Sequence, residues 1–342
     1  MRRPVVVAPM AGGPTTVELV IAASSAGALG FLAAGYKTAA AMRAEMDAVE
    51  AGGAGPYGVN VFVPGAPAPD PAAVARYVAG LAADAEALGV QLGEPDWNDD
   101  DWDAKIAALL AHPPAAVSFT FGCPDRDILA AFRAAGSAVW VTVTEPVEAA
   151  LAAARGADGL CVQGAGAGAH RSAFADDSRG APGYPLLRLL RHVRQETGLP
   201  LVAAGGIMSQ QDAAAALAAG AAAVQCGTAF LRCPESGAHP LHKAALADPR
   251  FTRTAITRAF SGRPARGLVN RFMLDHPDAP RAYPEINSAT RPLRAAAVAA
   301  GDVDRTSLWA GEGFRAATAR PAAEVVELLW PGPTSRNTSL PG

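Results

Sequence analysis

The sequence has few cysteines, few charged residues and few aromatic residues. Of its 342 residues, 4 are cysteine, 18% are charged and 6% are aromatic. The cysteines form no Cys-x-x-Cys pair and most lie in or beside apolar segments, so they predict buried free thiols in a reducing cytoplasm rather than a disulfide framework. Because the net charge is −3, the chain has no basic field that would attract nucleic acid.

Long apolar segments are missing as well. No stretch of about 18 apolar residues runs without a Gly, a Pro or a charged residue, so no membrane-spanning segment is predicted. The opening MRRPVVVAPM lacks the small-residue cleavage site of a signal peptide. We therefore expect a cytoplasmic protein without a membrane or nucleic-acid partner, either a monomer or a homodimer.

The residues that are abundant predict an α/β fold. Half of the chain, 50%, is hydrophobic, and short runs rich in Val, Leu and Ala alternate with Ala-rich helical segments. The runs are almost continuously apolar, which is typical of strands buried on both faces. Eight such strands predict a (β/α)8 TIM barrel. They span residues 4–8, 29–33, 58–63, 116–121, 139–144, 159–163, 200–204 and 223–227.

The chain is predicted to divide into a barrel and an appendage. Residues 1–233 would form the barrel, with an excursion at 64–112 that contains one helix at 72–88. Beyond the eighth strand the alternation stops, so residues 234–330 are predicted to be a helical appendage or lid packed on the barrel near its mouth. Residues 331–342, rich in Pro, Ser and Asn, are predicted to be a flexible tail.

Two glycine-containing turns follow the seventh and eighth predicted strands. Gly205-Gly206 and Gly227-Thr228 occupy the position where TIM barrels most often hold a phosphate. Main-chain N–H groups at such turns approach an anion closely, and the dipole of the following helix favours negative charge. For any single glycine, a tight turn without a ligand explains the residue equally well. Together the two turns predict a phosphate site.

Three amide side chains interrupt predicted strands. Asn60, Gln163 and Gln225 lie in runs that are otherwise apolar, and a buried amide without a partner is costly. A flavin ring and its ribityl chain carry suitable donors and acceptors. A purely internal amide network would also satisfy these side chains. The three residues are therefore candidates for contact with a flavin.

His170 lies in the glycine-rich loop after the sixth predicted strand. It is the only one of six histidines in such a loop, at the end of the barrel that carries the chemistry. A single histidine is more often structural than catalytic, but this location favours a catalytic role. His239 and His242 are three residues apart without a companion set of cysteines or carboxylates, so no metal site is predicted.

Several of these segments, taken together, resemble a known family. The chain is similar to the nitronate monooxygenases, formerly called 2-nitropropane dioxygenases, from Pro4 to about Leu329, with the motifs in the same order. The matching segments are APMAGGPTTVELVIAASSAGALGFLAAG, YGVNVFVP, VSFTFGCP, VQGAGAGAHR, VAAGGI, VQCGTAFL, TRAFSGRPARGLVN, AYPEINSATRPLRAAA and LWAGEG.

The resemblance implies a flavoenzyme that oxidises alkyl nitronates. FMN would be the cofactor and O2 the co-substrate, and a nitronate such as propionate 3-nitronate would yield a carbonyl compound plus nitrite or nitrate, a detoxification reaction. His170 would be the active-site histidine. The residues implied or predicted to bind the cofactor are Met10, Asn60, Gln163, Gly168, Gly205, Gly206, Gln225, Cys226, Gly227 and Thr228.

The glycine-rich loop departs from the family pattern at two positions. The family usually has Glu where this chain has Gly166, and a second Gly where it has Ala169. The missing carboxylate and the added methyl group affect the expected orientation of His170, and through it the substrate preference, more than they affect the flavin site.

Two other functions are compatible with the residues. A flavin-dependent enoyl-acyl-carrier-protein reductase shares the barrel and a similar loop, but it needs NAD(P)H, and the sequence has no separate dinucleotide fingerprint. The segments SGRPARGLVN and LWAGEG favour the monooxygenase over this reductase. The third hypothesis is a non-catalytic barrel that binds flavin or phosphate, since a barrel alone does not define an activity.

Overall fold

Eight parallel strands close into a barrel in the computed structural model, which describes residues 1–176 and 183–330. All eight predicted strands are present, so the predicted TIM barrel is confirmed. The barrel strands are β1 (Val5–Val7), β2 (Leu29–Ala33), β3 (Tyr57–Phe62), β4 (Ala116–Thr120), β5 (Ala138–Val143), β6 (Gly159–Gln163), β8 (Leu201–Ala204) and β9 (Ala223–Cys226). A separate small sheet contains β7 (Ala169–His170), β10 (Thr254–Thr257) and β11 (Ala265–Leu268).

The barrel closes by pairing its first strand with its last. Val6 lies opposite Gln225 on β9 and opposite Leu29 on β2, so β1 has a parallel neighbour on each side. Val59 and Val117, from neighbouring strands, have no exposed surface. This burial on both faces is the physical reason for the almost continuously apolar runs.

Helices connect the strands and pack on the outside of the barrel. Several begin with a capping side chain: the Thr16 hydroxyl accepts a hydrogen bond from the Leu19 N–H, and Ser209 and Asp212 form a capping box. The single helix predicted at 72–88 is two helices, α3 and α4, which meet at Leu81. The helices between strands are α1 (Val17–Ser25), α2 (Ala39–Ala51), α3 (Pro71–Gly80), α4 (Ala82–Ala87), α5 (Trp102–Ala111), α6 (Arg126–Ala134), α7 (Pro146–Arg155), α8 (Leu186–Glu196) and α9 (Gln210–Ala218).

Residues 227–330 form four further helices, but the last one belongs to the barrel. Val326 and Leu329 on that helix are buried in the same core as the barrel strands, and the helix packs against α1. The region predicted as one appendage therefore returns to the outer helical layer at its end. The helices are α10 (Pro240–Ala245), α11 (Arg271–Asp275), α12 (Glu285–Ala299) and α13 (Ala322–Leu329), with 3-10 turns at Thr228–Phe230 and Phe314–Ala316.

The appendage also contains a β-hairpin that the sequence prediction missed. β10 pairs antiparallel with β11, and β11 pairs antiparallel with β7 in the loop after β6. The sequence of β11, ARGL, has little strand propensity, and its partner β7 is two residues long. β11 forms because it pairs with β10 on one side and, on the other, with β7, which lies far earlier in the chain and leaves no local pattern.

No helix in residues 1–176 and 183–330 is long and apolar enough to cross a membrane. The predicted flexible tail at 331–342 lies outside the described residues.

Candidate functional site

A cavity of ≈ 650 Å³ lies where the barrel strands end, between the βα loops and the appendage. This is the end of a TIM barrel that carries the chemistry. Every candidate site residue from the sequence lines this one cavity: Met10, Asn60, Gln163, Gly168, His170, Gly205, Gly206, Gln225, Cys226, Gly227 and Thr228.

The two glycine turns lie side by side at one wall of the cavity. Ala204 pairs with Gln225 in the β8–β9 ladder, so Gly206 and Gly227 each follow that pair by two residues. Gly206 has a φ of 75°, which glycine adopts without strain. The main-chain N–H groups of Gly206, Gly227 and Thr228 have no acceptor among the described residues. Three free donors at adjacent strand ends fit an anion such as a phosphate.

Thr228 and Met10 define the edges of this wall. The Thr228 hydroxyl oxygen accepts a hydrogen bond of 3.0 Å from the Gly311 N–H, so its own hydrogen stays available to a ligand. Met10 is held in the loop after β1, where its N–H donates to the Thr15 hydroxyl at 2.8 Å. A Cβ placed on Gly227 would lie 3.4 Å from the Met10 sulfur. Both side chains therefore lie next to the free N–H groups.

Asn60 and Gln225 have polar atoms left over for a ligand. The Asn60 amide nitrogen donates to the Ser118 hydroxyl at 2.8 Å and to the Thr120 hydroxyl at 3.0 Å. Its oxygen receives no hydrogen bond from any described residue, and neither end of the Gln225 amide has a partner there. Since buried amides are normally satisfied, these atoms fit a cofactor with polar ring edges.

Gln163, by contrast, is engaged in an internal network. Its amide nitrogen donates to the His170 carbonyl at 3.2 Å, and its amide oxygen accepts from the Ser172 N–H at 2.9 Å. The side chain thereby ties β6 to the segment that carries His170. Gln163 therefore belongs to an internal amide network, and it supports the site by holding the loop that carries His170.

Gly168 permits close approach of the appendage. A Cβ at this position would lie 2.5 Å from the Gly311 nitrogen and 2.6 Å from the Ala310 carbonyl carbon. Real Cβ atoms do not come that close to backbone, so the residue must be glycine for the two segments to pack. This packing accounts for Gly168 whether or not it also touches a cofactor.

The two departures in the glycine-rich loop have structural consequences. A Cβ at Gly166 would lie 3.1 Å from a carboxylate oxygen of Glu312, so a carboxylate reaches this place from the appendage. Glu312 is held there by Arg266 at 3.1 Å. Ala169 has a φ of 60°, a left-handed conformation that costs a non-glycine residue of the order of 1 kcal/mol or more. The methyl group of Ala169 therefore occupies a backbone position that favours glycine.

His170 is enclosed by side chains from the appendage and the barrel. Its Nε2 lies 2.8 Å from the Ser261 hydroxyl oxygen, and the rings of Phe121, Tyr283 and Trp309 lie 5.9, 5.5 and 5.6 Å away. Burial and then the positive charges nearby lower the pKa of the imidazole to about 3. The ring is therefore neutral at physiological pH.

The cavity is positively charged. Arg291 and Arg294, three residues apart on α12, line it, and no Asp or Glu does so among the described residues. Arg294 donates to the Asn287 side-chain oxygen at 2.8 Å, but its Nε is buried without a partner and no described carboxylate lies within 4.0 Å. Such a wall attracts anions. The sequence analysis missed both arginines, although their spacing in SATRPLR places them on one helix face.

Tyr36 is a further cavity residue that the sequence analysis missed. Its φ of 66° is unusual for an aromatic residue, and its N–H donates to Asp100 at 2.8 Å. Asp100 in turn pairs with the fully buried Lys105 at 2.7 Å. The Tyr283 hydroxyl donates to the Tyr36 hydroxyl at 3.0 Å. The loop that carries Asp100 thus holds Tyr36 against the Tyr283 ring, which also touches His170.

No group of three or more His, Cys, Asp or Glu side chains in the described part of the chain could hold a metal ion. His242, which lines the cavity, contacts the Trp309 carbonyl at 3.0 Å, and burial lowers its pKa to about 4.

Comparison with known proteins gives relatives over almost the whole chain. A family model described as nitronate monooxygenase matches residues 1–332. The nitronate monooxygenase of Pseudomonas aeruginosa is 41% identical, with 96% of this chain and 95% of that protein covered. The probable nitronate monooxygenase of Bacillus subtilis is 35% identical, with coverage of 93% and 92%.

Two solved structures extend the comparison. The crystal structure of nitroalkane oxidase from Streptomyces ansochromogenes superposes with a TM-score of 0.93 at 50% identity, covering 96% of this chain and 94% of that chain. FabK from Thermotoga maritima superposes with a TM-score of 0.70 at 23% identity, covering 96% and 92%. At that identity the likeness to FabK concerns the fold alone.

Proposed function

The chain belongs to the nitronate monooxygenase family, and we propose on that premise that it binds FMN and oxidises alkyl nitronates with O2 to carbonyl compounds plus nitrite or nitrate. As a member it is a flavin-dependent oxidoreductase that acts on a small molecule. One observation supports FMN binding and nitronate oxidation in particular. A single cavity is lined by free main-chain donors, an unpartnered amide, a neutral histidine and two arginines, and by no acidic side chain among the described residues.

The described residues fit FMN. The N–H groups of Gly206, Gly227 and Thr228 would hold its phosphate, and the Thr228 hydroxyl could donate a further hydrogen bond. The Gln225 amide and the Asn60 oxygen would satisfy the polar edge of the ring. When bound, FMN supplies the electron-accepting ring system of the reaction.

The charge of the cavity fits a nitronate. A nitronate is already an anion, so its binding needs positive charge or hydrogen-bond donors rather than a strong base. Arg291 and Arg294 provide the charge, and Tyr36 lines the same space with its hydroxyl paired to Tyr283. A substrate with a second negative group, such as propionate 3-nitronate, would suit the guanidinium of Arg294, which has no described carboxylate within 4.0 Å.

An absorbance spectrum followed by an anaerobic titration tests this function. The purified protein, or the protein supplied with FMN, should show flavin bands, and propionate 3-nitronate should bleach them while NADH does not. A protein that stays colourless when offered FMN contradicts the proposal. Bleaching by NADH and not by the nitronate would indicate the reductase, and bleaching by neither would indicate a non-catalytic barrel.

Neutral nitroalkanes are a second candidate substrate class. His170 lines the cavity and is unprotonated at neutral pH, so a ring nitrogen is available for the proton that a nitroalkane must lose. The same low pKa makes the ring a weak base, so proton removal is expected to be slow. The solved relative at 50% identity is named a nitroalkane oxidase. Deuteration of nitroethane at the carbon that bears the nitro group should then slow turnover, whereas turnover of the preformed nitronate should be unaffected. Equal rates for the two isotopic forms would contradict proton removal as a slow step.

The cytoplasmic location and the choice between monomer and homodimer stay predictions from the sequence.

A further inference from the structure

We propose that Ser261 is a positioning residue for His170: it accepts a hydrogen bond from the Nε2–H of the neutral ring and so leaves Nδ1 as the hydrogen-bond acceptor of the active site. The proposal rests on the nitroalkane reaction of the proposed function, in which His170 accepts a proton from the substrate. It assigns a role to a residue of the loop between β10 and β11, outside the barrel.

The contact between the two side chains is close and buried. The Ser261 hydroxyl oxygen lies 2.8 Å from His170 Nε2, and Ser261 is 1% exposed. Water therefore does not compete for this hydroxyl. At this distance the two groups share one hydrogen, and its owner decides the tautomer of the ring.

The surroundings of Ser261 decide which group donates. Its hydroxyl hydrogen can point to the Arg263 carbonyl oxygen at 3.2 Å or to His170. If it points to the carbonyl, His170 Nε2–H donates to the serine, and both groups are satisfied. If it points to His170, the Arg263 carbonyl loses its side-chain donor and Nδ1 must carry a hydrogen that no described residue accepts. The arrangement in which His170 Nε2–H donates to Ser261 therefore leaves fewer buried polar groups without a hydrogen-bond partner.

The backbone holds Ser261 and His170 in register. His170 pairs with Ala265 on β11, and the Arg171 N–H donates to the Pro264 carbonyl at 2.8 Å. The loop that carries Ser261 is therefore attached directly to the segment that carries His170. The β-hairpin gives the contact a fixed geometry, as an orienting group requires.

Arg263 complements Ser261 by opposing protonation of the ring. Its guanidinium lies 4.0 Å from the centre of the Phe121 ring and donates to the carbonyls of Arg171, at 3.3 Å, and Ala173. No described carboxylate lies within 4.0 Å of it, and the acidic groups that act on its charge, Asp176 and Glu148, are more distant. Arg294 adds a second positive charge near the His170 ring, whereas Tyr283, which also contacts that ring, is uncharged. A neutral ring with a fixed tautomer is the result.

Nuclear magnetic resonance of the purified holoprotein with 15N-labelled histidine tests the tautomer directly. A His170→Asn variant identifies the signals of His170. We expect a pyrrole-type Nε2 and a pyridine-type Nδ1 at neutral pH. A protonated Nδ1 with an unprotonated Nε2, or a doubly protonated ring, would overturn the proposal.

Substitution of Ser261 tests its positioning role. Ser261→Ala should retain flavin absorbance but give a mixture of His170 tautomers and lower kcat by about tenfold or more, since a lost orienting hydrogen bond and a wrong tautomer both cost rate. Ser261→Thr keeps the hydroxyl and should restore the wild-type tautomer and most of kcat. Wild-type tautomer and kcat in Ser261→Ala would refute the role.

The tautomer measurement needs no substrate, so it separates this proposal from the proposed function. A protein that fails to turn over nitroalkanes but shows the Nε2–H tautomer refutes that function and supports the role of Ser261. Active protein with the opposite tautomer does the reverse.

Discussion

His170 is the residue whose loss should separate cofactor binding from catalysis. His170→Asn keeps a polar side chain of similar size and leaves the free N–H groups of Gly206 and Gly227 unchanged. We expect bound flavin to remain and turnover of nitroethane to fall by about 100-fold or more, the usual contribution of a positioned acid or base. Flavin content and kcat, measured on the same preparation, check this. An active variant would remove His170 from the mechanism.

Burial of His170 also makes stability depend on pH. The pKa of His170 is about 3 in the folded protein, against an ordinary value near 6.5 in the unfolded chain. Between these values the unfolded chain binds a proton that the folded protein does not, so the free energy of unfolding falls as pH drops below 6.5.

The His170→Asn variant separates the contribution of His170 to the pH dependence of stability from that of the other titrating groups. The pKa values of Glu148 and Asp100 are raised, chiefly by burial, and act in the opposite direction. They are common to wild type and His170→Asn, so the difference between the two isolates the histidine. Denaturant unfolding at pH 6.5 and 4.5 should show a flatter dependence in the variant. Parallel curves would contradict a neutral, buried His170.

The sequence identified individual site residues better than it identified their partners. Asn60, Gln163 and Gln225 present the same signal, an amide within an apolar strand. Only the path of the loop after β6 brings the Ser172 N–H and the His170 carbonyl to Gln163. Ser261 lies 91 positions from His170 and has no signal of its own, since a serine in a loop is common.

At the scale of elements, a substitution at Gly168 tests how tightly the appendage packs on the glycine-rich loop. Gly168→Ala places a methyl group 2.5 Å from the Gly311 nitrogen, so one backbone segment must move. We expect the free energy of unfolding to fall by about 1–3 kcal/mol, as overpacking usually costs, and the flavin to bind more weakly. Gly80→Ala is the matched control, because nothing lies within 4 Å of a Cβ there. Equal stability of the two variants would show that the segments pack loosely.

A second prediction at this scale concerns the ion pair between Asp100, in the loop before α5, and Lys105 on α5. Lys105→Met removes the charge that faces Asp100 while keeping the apolar stem. Loss of one partner of a buried pair typically costs about 3 kcal/mol, and Tyr36 should lose its fixed position because Asp100 holds its N–H. Denaturant unfolding measures the loss, and the double variant Lys105→Met with Asp100→Asn should recover part of it. If Lys105→Met unfolds with the same free energy as the wild type, the ion pair makes no net contribution to stability.

The elements that could be predicted are those stabilised by their own sequence. The barrel strands and the capped helices are recognisable from apolar runs and capping residues within each segment, and the sequence predicted all eight barrel strands. The hairpin β10–β11 could not be found in this way, because ARGL becomes a strand through β7 and β10. Likewise α13 was predicted to lie in the appendage, and only its packing beside α1 places it in the barrel layer.

At the scale of the whole molecule, the net charge of −3 conceals a cavity that carries positive charge. FMN added to flavin-free protein should therefore raise the free energy of unfolding, by about 2.7 kcal/mol when its concentration is 100 times Kd. Riboflavin is the matched control, because it lacks the phosphate that Gly206, Gly227 and Thr228 would hold. Thermal unfolding measures both shifts. Equal shifts would mean that the phosphate makes no contribution.

The closed barrel also sets the order in which the molecule can be completed during synthesis. β1 pairs with β9, so residues 5–7 wait for residues 224–226 before the ring of strands is continuous. His170 is made before that point, yet Ser261 emerges from the ribosome well after it. The wall with the free N–H groups of Gly206 and Gly227 is thus synthesised before Ser261, so the contact between Ser261 and His170 cannot form until that wall is complete in sequence.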